Sequence, residues 1–433
     1  MIKILSFIFI SITILSCSFN SGGGFWTQEK EIKNNEGEFK SIFVNKTIET
    51  KELNKNFNVL VNKSSFQVDS LSNLNNNDGY NSFRSGLNKI TKYNFSKIKN
   101  YHLFDPNLIL FKENVIFFDN KGTILNFNND AKLIWKQNNY SKEEKNSAPL
   151  ISLKNTNNRL IVADNFAKIY VLDINNGEIL WSKKNKTSFN SEIKIYKDKV
   201  FVVDASNNLI CFSLIDGKKI WSYTTNKSFV NSFKKLSIIV KNNRVVFTNS
   251  IGEITAINVD NGSLLWQHST QSTKIFEDIM NLKTSKIIEN DNSIYFSNNK
   301  NQFFSIDLIS GAVNWTQEIN SDLKPSAVKN FLFTISLDGY FFVIDKKNGN
   351  ILKIIDIFSQ TKLNKKGNVI PTGFILNNEE IFITTNIGRL IIVDIKSGKI
   401  KKILKIDKKK ISRPFVKDQS MYLIKDNSIV KLN

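Results

Sequence analysis

Four times between residues 100 and 433 a glycine is followed four residues later by a tryptophan: Gly177 and Trp181, Gly217 and Trp221, Gly262 and Trp266, Gly311 and Trp315. A copy at 131–135 keeps Trp135 and lacks the glycine, and copies at 349–353 and 398–402 keep the glycine and lack the tryptophan. The mean interval between these seven motifs is near 44.5 residues. A period of that length, filled only with strand-like segments, restricts the chain to stacked units that bury their faces against one another, as propeller blades do. In the second unit, 149–153, 160–163, 168–173 and 179–183 are short β-branched or alternating runs separated by Asn, Gly and Asp turns. Four strands per unit make one blade, and no sustained helical period occurs between 100 and 433.

The motif extends upstream of its glycine. Asp173, Asp307, Asp345 and Asp394 stand four residues before it, with Ser213 and Asn258 at the same place in two other units. A short polar side chain there accepts backbone N–H groups across the turn, and glycine supplies the positive φ that lets the chain double back. The tryptophan then lies on the outer strand, where a flat ring fills the gap between neighbouring blades. These residues are expected to be structural.

The N-terminus has a different character. After Lys3, the stretch 4–15 is apolar apart from Ser6, Ser11 and Thr13. About twelve helical residues cover roughly 18 Å, short of a ~30 Å hydrocarbon core, so the stretch reads as a signal peptide and not a span. The sequence Ile14-Leu15-Ser16-Cys17 resembles a bacterial lipobox, in which the cysteine becomes the first residue and is acylated. The glycine-rich 18–24 that follows suits a flexible tether. By resemblance to the usual sorting rule, Ser18 after Cys17 favours the outer membrane, with the protein lipid-anchored at its periplasmic face.

The pattern apolar-x-Asp-x-x-x-Gly-x-x-x-Trp resembles the repeat of PQQ-type eight-bladed propellers, and joined to a lipoprotein signal it is similar to the BamB family of outer-membrane assembly lipoproteins. The likeness covers roughly 100–433. Seven outer-strand motifs leave 415–432 for two or three further strands, so the eighth blade is expected to be completed by an N-terminal strand within 89–101. The expected fold is therefore all-β, an eight-bladed propeller of four-stranded antiparallel blades closed by an N-terminal strand. The expected organisation is a signal peptide at 1–16, a lipidated tether and partly disordered extension at 17–88, and the propeller at 89–433. Residues 25–88 fit no blade, and the Asn-rich 70–81 reads as a linker.

Composition narrows the chemistry. Lys and Arg number 60 against 39 Asp and Glu, a formal charge of +21, which raises nucleic acid or anionic membrane as partners. The charge is overwhelmingly Lys and spread over every blade, without the clustered Arg and aromatics of a nucleic-acid surface, so it reads as a solvated surface and no nucleic-acid partner is expected. The densest runs are 401–410 and 183–186. Two Cys and two His exclude a disulfide scaffold and a zinc cluster. Cys211 reads as a buried small hydrophobe, His102 and His268 as isolated, and Glu277-Asp278 as a solvated pair. One Asp per blade is capping geometry, so no metal is expected. Quinoprotein dehydrogenases share the repeat and often carry a disulfide of adjacent cysteines against their quinone, which this sequence cannot form. No cofactor is expected and no catalytic residue is singled out.

The resemblance implies a non-enzymatic scaffold that docks on the BamA-type insertase, together with other barrel-assembly subunits, and aids insertion of unfolded outer-membrane proteins. In that family the insertase contact lies on mid-propeller loops leading into innermost strands. The comparable stretches are 226–235 and 270–284, whose Phe229, Val230, Phe233, Phe276, Ile279 and Leu282 suit a contact core. Asn281 and Lys283 stand where the family would have acids. A quinone-dependent dehydrogenase and a propeller that binds an envelope ligand are the alternatives.

Overall fold

Each repeat unit folds into one four-stranded antiparallel sheet, and eight such sheets are present. The computed structural model describes residues 51–59, 61, 76–84, 86–88, 90–103, 105–226, 234–270, 282–361, 363 and 368–433. Blades 1 to 7 occupy 109–137, 151–184, 194–224, 238–269, 288–317, 326–356 and 371–405. Blade 8 takes three strands from 415–432 and its fourth, outermost strand from Ile90–Asn94. That strand runs antiparallel to Ser428–Leu432, with Ile90 opposite Leu432 and Asn94 opposite Ser428. The N-terminal strand thus closes the ring and covers the free edge of the last blade.

Burial follows position in the blade. In blade 2 the middle strands Arg159–Asp164 and Lys168–Asp173 are buried almost throughout. Both faces of a middle strand pack on neighbouring blades, which is why its sequence is a continuous apolar run. In the outermost strand Ile179–Lys184 only Trp181 is buried. Innermost strands of adjacent blades touch one another and so surround a central axis. One short helix, α1 (Lys142–Asn146), lies between blades 1 and 2 and begins with a capping box in which Ser141 and Glu144 satisfy each other's backbone N–H.

The described parts of the N-terminal extension belong to the same compact unit as the blades. Leu53 exchanges two backbone hydrogen bonds with Ile354 on the outer strand of blade 6, at 3.1 and 3.0 Å. Further along, Asn77 holds both backbone groups of Ala327 through its side-chain amide, at 2.6 and 3.0 Å. Asn76 donates to the Val240 carbonyl, Tyr80 bridges Leu376, and Phe83 is buried against Phe382 with ring centroids 4.8 Å apart. The linker reading of 70–81 therefore fails for its described part. The asparagines that suggest a solvated linker here use their amides as backbone substitutes.

Candidate functional site

The tryptophans latch each blade to the next. Trp181 lies against Gly217, where φ is +70° and a Cβ would sit 2.6 Å from the ring; its indole N–H donates to the Leu214 carbonyl at 3.0 Å. Trp135 stands in the same way on Gly177, Trp221 on Gly262, Trp266 on Gly311 and Trp315 on Gly349. Their indoles donate at 3.1 Å to Ile174, Val259, Leu308 and Lys346 respectively. Asp173 Oδ1 accepts from the Asn175 N–H, and Asp307 Oδ1 accepts from Ile309 and Ser310, which lowers the Asp307 pKa. Where blade 6 lacks its tryptophan, the fully buried Lys353 donates instead to the Lys396 carbonyl of blade 7 and to Phe57 of the extension. All of these residues serve cohesion of the ring.

The described ends of the two expected contact stretches, Asn226 and Thr270, lie on the same face of the ring. Connections from an outer strand to the next blade lie beside the turns between second and third strands, as the bonds from Asn207 to the Asn226 carbonyl and from Thr270 to the Gly252 carbonyl show. Phe229, Val230, Phe233, Phe276 and Ile279 lie outside the described residues, as do Cys17, Glu277 and Asp278. Leu282 is described and is only 5 % exposed. Cys211 is wholly buried, and burial pushes its thiol up to about 12. His268, on an outer strand, is half-buried, and burial lowers its pKa.

The basic residues do not all face solvent. A cavity of about 530 Å³ runs along the axis, lined by the innermost strands and the residues leading into them. Six of its lining side chains are basic (Lys112, Lys154, Lys194, Lys324, Arg413 and Lys417) and two are acidic (Asp78 and Glu192). Asp78, from the N-terminal extension, pairs with Lys324 at 2.5 Å and Arg413 at 2.8 Å. Burial alone would raise its pKa, yet these two cations hold the carboxyl well below the ordinary range. Glu192 pairs with Lys286 at 2.7 Å and, against its own burial, is lowered to about 2, chiefly by Lys286 and Lys324. Lys194 donates to Asn76 Oδ1 at 2.5 Å, and burial, with Lys154 and Lys324 nearby, lowers it to about 7. Lys235 donates to the Ile151 carbonyl and Ser152 Oγ and is likewise lowered to about 7, first by burial and then by Lys286. The Lys154 side chain makes no hydrogen bond or ion pair among the described residues, and burial lowers its pKa. The expectation of a purely solvated lysine surface is thus corrected. Residues contributed singly by successive blades are far apart in sequence, and closure of the ring brings them to one axis.

Eight four-stranded blades, five of them latched by tryptophan on the glycine turn of the next blade, define a PQQ-type propeller. A family model described as "Outer membrane protein assembly factor BamB" matches residues 120–355, just over half of the chain, and the chain belongs to that family. The crystal structure of BamB from Moraxella catarrhalis superposes with a TM-score of 0.64 at 15% identity, over 79% of this chain and 100% of that one. A europium-containing methanol dehydrogenase superposes with a TM-score of 0.62 at 10% identity, over 81% of this chain and 88% of that one. Likenesses at these identities establish the fold alone. An uncharacterized protein of Rickettsia conorii is 23% identical over 235 residues, 54% of this chain and 56% of its own length. One of Rickettsia prowazekii is 22% identical over 203 residues, 46% of this chain and 48% of its own. The chain spans about half the length of these curated relatives.

Proposed function

We propose that this chain is a non-enzymatic, lipid-anchored scaffold of outer-membrane β-barrel assembly, held at the periplasmic face by acylated Cys17. It docks on the BamA-type insertase through the mid-propeller connections 226–235 and 270–284 and aids delivery of unfolded outer-membrane proteins. The observation that carries this reading is the family match across 120–355, which spans the blades flanking both connections. A rigid ring displaying loops on one face is a suitable frame for docking. No helix among the described residues is long and apolar enough to cross a membrane.

The Ca²⁺ site of quinoprotein dehydrogenases does not fit the donors of this channel. Both of its carboxylates are already engaged by cations, and no group of three or more His, Cys, Asp or Glu suited to a metal occurs among the described residues. The reading is tested by crosslinking in intact envelopes and pulling down a tagged chain. The wild type is expected to recover the insertase, and the Phe229→Asp, Phe233→Asp double variant to lose it. Undiminished recovery with the variant would reject this connection as the contact.

A further inference from the structure

We propose that the central channel is a binding site for a small multivalent oxyanion, a ligand carrying two or more phosphate or carboxylate groups. The inference is independent of the assembly role. It rests on a charge imbalance inside a formed cavity: six basic side chains against two carboxylates, both of which are occupied. Asp78 bridges Lys324 and Arg413, and Glu192 serves Lys286. The Lys154 side chain is left without a hydrogen bond or ion pair among the described residues, and Lys194 has a single neutral amide acceptor in Asn76.

Cations confined among like charges in a low-dielectric space are costly, and an anion that enters gains from each of them at once. The volume, about 530 Å³, lies within the roughly 300–1,000 Å³ range of small-molecule sites and is too small for a folded partner. Lysines act as point charges and take phosphate or carboxylate oxygens alike, whereas Arg413 already gives one guanidinium nitrogen to Asp78. The lowered pKa of Lys194, which faces Lys154, Lys324, Glu192 and Asp78, means that a bound anion would restore its proton near neutral pH.

The test is calorimetric titration of the full chain with tripolyphosphate and with citrate. Saturable one-to-one binding by at least one of them is expected, with proton uptake at pH 7.5. The Lys154→Gln, Lys194→Gln double variant should bind at least tenfold more weakly. A Lys183→Gln, Lys184→Gln control on an exposed outer strand should bind within twofold of the wild type. Should the glutamine variant fail to fold, the Lys154→Arg, Lys194→Arg variant is expected to retain binding within about threefold. Phosphatidylglycerol vesicles identify the source: capture that the Lys154→Gln, Lys194→Gln variant abolishes assigns the anion to a lipid headgroup, and binding of the soluble probes alone assigns it to solution. Absence of saturable binding by every probe, or equal binding by the double variant and the wild type, would overturn the proposal.

Discussion

Gly217→Ala isolates the blade latch. At φ +70° an L-residue carries strain of about 1–2 kcal/mol, and a Cβ placed 2.6 Å from Trp181 Cε3 is a clash that backbone and ring must relieve together. Overpacking of a well-filled interior costs about 1–3 kcal/mol. The expected destabilisation is therefore about 2–5 kcal/mol, and displacing the ring also endangers the 3.0 Å bond from its indole to Leu214. The two contributions separate in a Trp181→Ala background. With the ring gone only the backbone strain remains, so Gly217→Ala should cost about 1–2 kcal/mol there, and the difference is the coupling between the two sites. Urea unfolding followed by far-ultraviolet circular dichroism reads all four corners of the cycle. Gly86→Ala is the control: its φ is not in the left-handed region and its nearest neighbour, at 3.0 Å, is the end of the Asn88 side chain, so a cost under about 0.5 kcal/mol is expected. Equal cost of Gly217→Ala with and without Trp181 would refute the latch.

Two further predictions concern the axis. Lys235 has a pKa of about 7 when folded against 10.5 for an ordinary lysine, so between those values the unfolded chain holds a proton that the folded one has released. Its contribution to stability is thus fully present above pH 10.5 and is lost as pH falls towards 7, at up to about 1.4 kcal/mol per pH unit. Urea unfolding at pH 7, 8 and 9 should show this slope in the wild type and a shallower one in Lys235→Met; parallel slopes would sink the assignment. Asp78→Ala strips the shared carboxylate from Lys324 and Arg413, and loss of one partner of a buried pair costs about 3–5 kcal/mol. The same urea series tests it, and a cost below about 1 kcal/mol would show that solvent already serves these cations.

Most of the ring is legible in the sequence because its cohesion is local to a motif. The strand read at 179–183 is Ile179–Lys184, and the closing strand expected within 89–101 is Ile90–Asn94. The glycine-to-tryptophan spacing is constant because both residues lie in one turn-and-outer-strand unit, which sets the tryptophan of each blade at the same height as the glycine turn it meets on the next. Lys353 escapes such a reading: it takes the tryptophan's place in blade 6, and nothing in its sequence neighbourhood distinguishes a buried hydrogen-bond donor from a surface lysine. The axial cations escape it for a different reason. Lys154, Lys194, Lys235, Lys286, Lys324 and Arg413 are separated by about one blade each, and by two between Lys324 and Arg413, so no window of charge density finds them. They become visible only when blades are aligned on their tryptophans, because each then falls within or just before an innermost strand.

That alignment also changes what the N-terminal extension is for. Of the two carboxylates facing the cavity, Glu192 comes from the stretch leading into blade 3 and Asp78 from a segment that precedes every blade. Asp78 is held between a residue leading into blade 6 and one leading into blade 8, while Asn77 pairs with Ala327 and Tyr80 bridges Leu376 of blade 7. The extension therefore acts as a counter-ion threaded to the axis and then carried outward over blades 7 and 8 to the strand that closes the ring. A propeller cut at residue 89 would keep every strand and lose the carboxylate that offsets two of its axial cations. Its blades would close around a more strongly repulsive centre, and the deficit should exceed that of Asp78→Ala, because the packing of Phe83 on Phe382 and the bonds of Leu53, Asn76 and Asn77 are lost with it. Boundaries drawn from strands alone thus omit a piece on which the electrostatics of the axis depend.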